Sequence, residues 1–203
     1  MHLRPYRPAD RDALAAVCLR TADAGGDATG LLDDDRLWGD VFAVPYAVRE
    51  PERCTVLDDG GRVVGYVLGT RDTAGFVAWY REEWIPAVAG RYGALDPAPD
   101  SRTAQVLAMH LHPERMLQPG LEAHPAHLHI DLLPEAQRQG WGRALIRTFL
   151  DGLARDGVTG VHLGMARSNE PARAFYGALG FTEAPVADDP DSTTLVRSTA
   201  SVP

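Results

Sequence analysis

The segment Gln137-Arg138-Gln139-Gly140-Trp141-Gly142 lies between AHLHIDLL, in which apolar and polar residues alternate, and WGRALIRTFLDGLARDG, which has a helical period. Glycines let the main chain approach a ligand closely, and the first turn of a helix offers unpaired N–H groups at a positive dipole end. A strand, a glycine turn and a helix in that order can cradle a phosphate or pyrophosphate, although a plain tight turn would use the same residues. The spacing is not G-x-G-x-x-G, and the Lys-Ser/Thr of a nucleotide P-loop is missing, which weakens dinucleotide and ATP readings. Just upstream, His127, His129 and Asp131 alternate, so a regular strand turns them to one face. Two imidazoles and a carboxylate there suit proton transfer, metal binding or structural hydrogen bonding. An alkyl ammonium costs about 4–5 kcal/mol to deprotonate at neutral pH, a task matched better by histidine than by an unperturbed aspartate. Aspartate would need desolvation or a relaying water.

The flanking elements are legible by period. After Trp141, Leu145, Phe149 and Leu153 recur every four residues beside Ile146, Leu150 and Ala154, an apolar stripe with Arg143, Arg147 and Arg155 off it and Gly157 as a stop. GVHLGMA reads as a strand, NEPARAFYGALG as a helix, and FTEAP and STTLVRS as closing strands. In that last helix Ala172, Phe175 and Leu179 mark an apolar face, and periodicity alone puts Tyr176 in the core. Asn169, ahead of Glu170 and Pro171, suits a helix cap, with Ser168 as its rival. Nearer the start, HLRPYRPADRDALAAVCLRTA reads as a short strand, a turn and then a helix that Asp10 could cap, burying Leu14, Val17 and Cys18. RCTVLDDGGRVVGYVLGT predicts a hairpin turning at Asp59-Gly60-Gly61. Residues 71–93 predict a helix in which Trp79 and Trp84 favour the core over a pocket wall. Residues 94–126 lack clean periodicity and read as a long excursion. The stretch 187–203, rich in Asp, Ser and Thr, reads as a partly flexible tail.

The chain has 203 residues, 45% hydrophobic and 24% charged, which fits one folded domain over 1–203. All 20 basic residues are arginine and the net charge is -8, a bias expected of a GC-rich bacterial source and unsuited to binding a nucleic-acid backbone. The acidic run Asp23, Asp27, Asp33, Asp34 and Asp35 could attract a cationic ligand or be a solvated face. Cys18 and Cys54 are too few for a disulfide framework and are expected as buried thiols. With no apolar leader and no long apolar run, the expected location is cytoplasmic and away from membranes.

Together these residues resemble the GNAT acetyltransferases. Gln137, Gly140 and Gly142 meet that family's Q/R-x-x-G-x-G/A signature. Leu132-x-Pro134 matches its strand exit, Asn169 and Tyr176 its later Asn-to-Tyr element, and Leu179-Gly180-Phe181 its L-G-F ending. Arg4-Pro5-Tyr6 through Asp10 is similar to its opening. Over roughly residues 3–181, GYVLGT, EEWIP and HLHIDLLPE look like the C-terminal acetyltransferase-like domain of O-GlcNAcase and its free-standing bacterial relatives.

The resemblance implies an α/β GNAT fold: a mixed, mostly antiparallel sheet flanked by helices and splayed to admit acetyl-CoA as acyl donor. Backbone groups near Leu132 and Leu133 would meet the pantetheine and thioester, and amides from Arg138 to Arg143, with Gln139 and Trp141 among them, the pyrophosphate. Asn169 would touch the cofactor, and Tyr176 would protonate the departing thiolate. Asp131 is favoured as base by resemblance and His129 by its pKa. The acceptor would be a small-molecule or peptide amine, no metal is required, and a homodimer is compatible. Two other readings stand beside it: a pseudo-acetyltransferase acting as a CoA-binding or protein-interaction module, and a metal-dependent hydrolase on the His-rich strand.

Overall fold

The periods resolve into alternating elements in a computed structural model, which describes residues 1–184 and 191–200. Strand β1 (His2–Pro5) leads into α1 (Arg11–Leu19), followed by α2 (Arg36–Phe42) and α3 (Val44–Arg49). The expected hairpin is β2 (Thr55–Asp59) and β3 (Arg62–Thr70). Helices α4 (Thr73–Trp79) and α5 (Ile85–Tyr92) are joined by a π-helical turn, and α6 (Arg102–Leu111) precedes β4 (Ala126–Leu132). Then come α7 (Trp141–Arg155), β5 (Gly160–Ala166), α8 (Glu170–Gly177), β6 (Thr182–Glu183) and β7 (Ser192–Ser198).

The strands form a seven-stranded sheet in the order β1-β2-β3-β4-β5-β7-β6, antiparallel throughout except between β4 and β5. Two apolar layers cover it. On one face Leu14, Val17, Leu37, Val41, Tyr46, Phe76, Tyr80, Trp84 and Val88 from α1 through α5 pack with Val64, Tyr66 and Leu68 of β3. On the other, the stripe of α7, Leu145, Ile146, Phe149, Leu150 and Leu153, packs on Val67, Leu128, Val161, Leu163 and Leu195. Each fully buried side chain of this kind is worth about 1.5–3 kcal/mol.

Three expectations need correction. Residues 94–126 contain the ten-residue α6, capped by Ser101, whose Oγ accepts the Ala104 N–H at 3.1 Å. Its apolar face is interrupted by polar residues that are themselves buried, Thr103 and His110, which hides the period. Asp10 stands ahead of α1, but its carboxylate does not cap that helix. It accepts two hydrogen bonds from Arg4 at 2.7 and 2.8 Å and one from the Arg7 N–H at 2.8 Å, ties that hold its carboxyl below the usual carboxylate range. Ser192–Ser198, counted in the tail, is a strand between β5 and β6, as its β-rich composition implied; residues 187–190 and 201–203 lie outside the described residues.

Cys18 and Cys54 are buried free thiols, and burial pushes both upward in pKa. Trp79 and Trp84 stack in the core at 6.2 Å between ring centroids.

Candidate active site

β4 and β5 pair at only two positions, Ala126 with Val161 and His127 with His162. Beyond them the strands part, and the second half of β4 borders a cleft. The Leu133 N–H donates to the Val64 carbonyl at 2.9 Å, on the β3 side. The two-residue period of a strand then turns the backbone groups of Leu128, Ile130 and Leu132 toward the cleft. Of the two leucines expected to meet the cofactor, Leu132 faces the opening, whereas the Leu133 amide is already used and its side chain is buried.

The cradle lies at the end of this strand. Arg138 and Gly140 have φ of +59° and +86°, and Gly140 is the residue from which α7 starts. A Cβ on Gly140 would meet no atom within 4 Å, so glycine is needed there for its left-handed backbone and not for room inside the fold. Gly142 has the opposite reason: a Cβ would fall 3.1 Å from the Phe175 ring and 3.5 Å from Leu132. It lets α7 lie against α8 and the end of β4. The first bond of the helix runs from the Ala144 N–H to the Gly140 carbonyl at 3.2 Å, which leaves the N–H groups of Trp141, Gly142 and Arg143 without intrahelical acceptors.

Gln137 and Gln139 brace this turn from within. Their side-chain amides donate to the carbonyls of Leu132 at 2.9 Å and Glu135 at 2.6 Å. Trp141 is half-buried against the α1–α5 layer. Arg138 and Arg143 are exposed, and no carboxylate pairs with either among the described residues. In the acidic run, Asp23 pairs with Arg102 at 2.8 Å, Asp34 pairs with Arg36, and Asp35 accepts the Gly30 N–H.

His127, His129 and Asp131 do share a face of β4, as their spacing implied, but they divide between two partners. The Tyr46 hydroxyl lies 2.8 Å from His127 Nε2 and 3.0 Å from His129 Nε2, while the Tyr66 hydroxyl donates to Asp131 Oδ2 at 2.5 Å. Burial lowers the pKa of both histidines, that of His129 to about 4, with the Arg115 guanidinium adding to the effect, so the pKa advantage expected of His129 as a base is lost to burial in the folded chain. Burial raises the Asp131 carboxyl despite the hydrogen bond from Tyr66. Among the described residues no group of three His, Cys, Asp or Glu is placed to hold a metal ion.

Tyr176 is half-buried on α8, its ring 5.1 Å from Phe175 and 5.5 Å from Phe181. Its hydroxyl has no hydrogen-bond partner among the described residues. Burial first, and then the Asp131 charge, raise its pKa, which keeps the phenol protonated through the neutral range. Asn169 caps α8, accepting the Ala172 N–H at 3.1 Å, and the rival Ser168 does not supply the cap.

A family model described as the acetyltransferase (GNAT) family matches residues 29–181, the span that carries both the cleft and the cradle. The chain belongs to the GNAT acetyltransferase family. Its fold superposes on the crystal structure of SsHAT with a TM-score of 0.93 at 51% identity, covering 98% of each chain. Protein O-GlcNAcase of Rattus norvegicus is 24% identical over 190 residues, 89% of this chain but only 20% of that protein. The [ribosomal protein bS18]-alanine N-acetyltransferase of Escherichia coli K12 is 41% identical over 69 residues, 34% of this chain and 47% of that one. The chain thus spans about a fifth of the rat protein and about half of the E. coli protein.

Sequence reasoning missed Tyr46, Tyr66 and Thr73, whose hydroxyls meet the polar side chains of β4. Tyr46 and Tyr66 carry no local signal in the sequence and are fully buried, so only the pairing of β3 with β4 and the docking of α3 reveal what their hydroxyls touch.

Proposed function

We propose that this chain transfers the acetyl group of acetyl-CoA to the nitrogen of a small-molecule or peptide amine. The observation that carries the reading is the placement of donors and bases around one opening. The free N–H groups at the start of α7 and the left-handed turn at Arg138 to Gly140 offer a cradle for the pyrophosphate at one end of the β4 edge, and the polar face of β4 adjoins the other. The fit to the cofactor rests on the exposed cradle and on the guanidiniums of Arg138 and Arg143, which have no carboxylate partner among the described residues and give the charge complement an anionic cofactor needs.

Acetyl-CoA supplies an activated thioester. The acceptor nitrogen attacks its carbonyl carbon, a proton leaves that nitrogen for a group on β4, and the carbon–sulfur bond breaks. Tyr176 donates its phenolic proton to the departing thiolate and recovers one from solvent, a role suited to a hydroxyl with no hydrogen-bond partner among the described residues. His129 and Asp131 are the groups within reach of the nitrogen. His129 is neutral at neutral pH and can accept a proton from a nitrogen made acidic by bonding to the acyl carbon. Asp131, raised by burial, orients the incoming amine.

The test is thiol release from acetyl-CoA across a panel of small amines and peptides, run beside calorimetry with CoA. Amine-dependent release with matching acetylated product is the expected result. Tight binding without release to any amine would replace this reading with that of a CoA-binding module.

A further inference from the structure

From the polarity of a buried hydrogen-bond chain we infer that Nδ1 of His129 is the basic atom on the acceptor side, with Thr73, His127 and Tyr46 as the positioning residues that fix it there. This assignment rests on the reading of the site as an acetyl-transfer centre.

The chain begins at a group that can only accept. The Thr73 hydroxyl lies 2.7 Å from the Pro125 carbonyl and 2.8 Å from His127 Nδ1. A hydroxyl has one proton and a carbonyl has none, so the Thr73 proton goes to Pro125. His127 Nδ1 must then carry the proton between them and donate it to the Thr73 oxygen. The neutral ring of His127 has its lone pair on Nε2, which accepts from the Tyr46 hydroxyl at 2.8 Å. With its proton committed, the Tyr46 oxygen can only accept from His129, whose Nε2 is 3.0 Å away and therefore protonated. The lone pair of the neutral His129 ring is left on Nδ1. The reverse polarity would set two oxygen lone pairs against each other at 2.7 Å between Thr73 and Pro125.

Nδ1 of His129 has no hydrogen-bond partner among the described residues, and it is not one of the buried polar atoms left unsatisfied, as His124 Nδ1 is. His127 is buried, whereas His129 is the first histidine of β4 past the parting from β5 that solvent reaches. The histidine at the cleft thus presents a lone pair, and three residues from α3, α4 and β4 hold its other nitrogen. Proton uptake at Nδ1 leaves every bond in this chain unchanged. In the proposed reaction Nδ1 takes the proton released as the carbon–nitrogen bond forms, and the imidazolium returns it to solvent once the thiol has left.

The test is a two-bond proton–nitrogen correlation spectrum of the whole protein labelled with 15N-histidine at neutral pH, with His127 and His129 assigned through single His→Gln variants. The expected pattern is a protonated Nδ1 in His127 and a protonated Nε2 with bare Nδ1 in His129. A His129 protonated on Nδ1 overturns the inference. Thr73→Val removes the anchor, and should mix the His129 tautomers and lower kcat roughly 10- to 100-fold at unchanged KM for acetyl-CoA. Thr73→Ser should restore both. A fall in kcat in Thr73→Val with the His129 tautomer unmoved would make Thr73 merely structural and sink its positioning role. The wild-type spectrum needs no variant at Thr73, so a misfolded Thr73→Val leaves it decisive. The expected tautomers in a protein that acetylates no amine would uphold the polarity and defeat the proposed function instead.

Discussion

The two ends of the cleft are built on different principles. At the cradle the two glutamine braces are local: Gln137 reaches a carbonyl five residues back and Gln139 one four residues back, and the groups offered to a ligand are backbone N–H groups. On the acceptor face the partners are distant: Tyr46 and His127 are 81 residues apart, Tyr66 and Asp131 65, and Thr73 and His127 54. A backbone-built site depends on the conformation of one short segment, so a single residue can destroy it. A side-chain-built site depends on topology, and its members act by orienting one another.

The largest effect is expected where the backbone has least freedom. Gly140→Glu forces a side chain onto a φ of +86° and places a carboxylate in the cradle. Calorimetry should show acetyl-CoA affinity reduced at least about 100-fold, with stability lowered by no more than the ~1–2 kcal/mol a left-handed residue costs, since no atom lies within 4 Å of the new Cβ. Near-native affinity would mean that the cofactor is not held here. Tyr176→Phe probes the chemistry with the cradle intact. It should lower kcat roughly 100-fold while the dissociation constant for acetyl-CoA stays within about twofold, because a general acid acts only in the reaction. An unchanged kcat would assign thiolate protonation to another donor.

The contrast also explains what the sequence could reveal. The glycine spacing, the α7 stripe and the hairpin at Gly60 are local signals and were readable as they stand. The alternation of His127, His129 and Asp131 correctly implied a shared face, but not that Tyr46 would join two of them and Tyr66 the third. Those tyrosines carry no local signal, and what they touch shows only once α3 and β3 are docked. Which of Leu132 and Leu133 turns its backbone away from β3 is settled only once the partner of the Leu133 amide is known. The α6 helix was lost because its buried side carries Thr103 and His110, which a hydrophobic period does not count. Asp10 sat where a cap belongs, yet Arg4, six residues away, outcompeted the helix for its carboxylate.

The acceptor face should also set the protein's response to acid. The His127 pKa in the folded chain lies well below its ordinary 6.5 because burial disfavours the imidazolium. Below that pH the unfolded chain takes up a proton that the folded one refuses, so stability falls by up to about 1.4 kcal/mol per pH unit for this residue. His129, at about 4, adds a loss of the same sign. Asp131 works in the opposite direction over the carboxylate range: its raised pKa means that the folded form gains a proton first as pH falls, which favours folding. Denaturant midpoints measured between about pH 7 and 5 should therefore fall on acidification, and His127→Gln should flatten the slope. A slope unchanged in that variant would show that His127 titrates normally and that the buried chain from Thr73 to His129 is open to water.

The smallest effect returns to the cradle. Arg138 and Arg143 are exposed, and neither has a carboxylate partner among the described residues, so both are free to meet a diphosphate. Exposed charges are screened, and each contributes about 0.3–1 kcal/mol at a helix start. Arg138→Ala and Arg143→Ala should each weaken CoA binding by about two- to fivefold, and the difference from wild type should shrink as salt is raised from about 0.05 to 0.5 M. Dephospho-CoA separates two uses of the same charge. If the arginines meet the pyrophosphate, the loss in each variant is the same for CoA and dephospho-CoA; if they meet the ribose phosphate, the loss disappears with that phosphate. The first outcome supports a cradle centred on the amides of α7. The second would leave the pyrophosphate to those amides alone and move the arginines to the outer rim of the cleft.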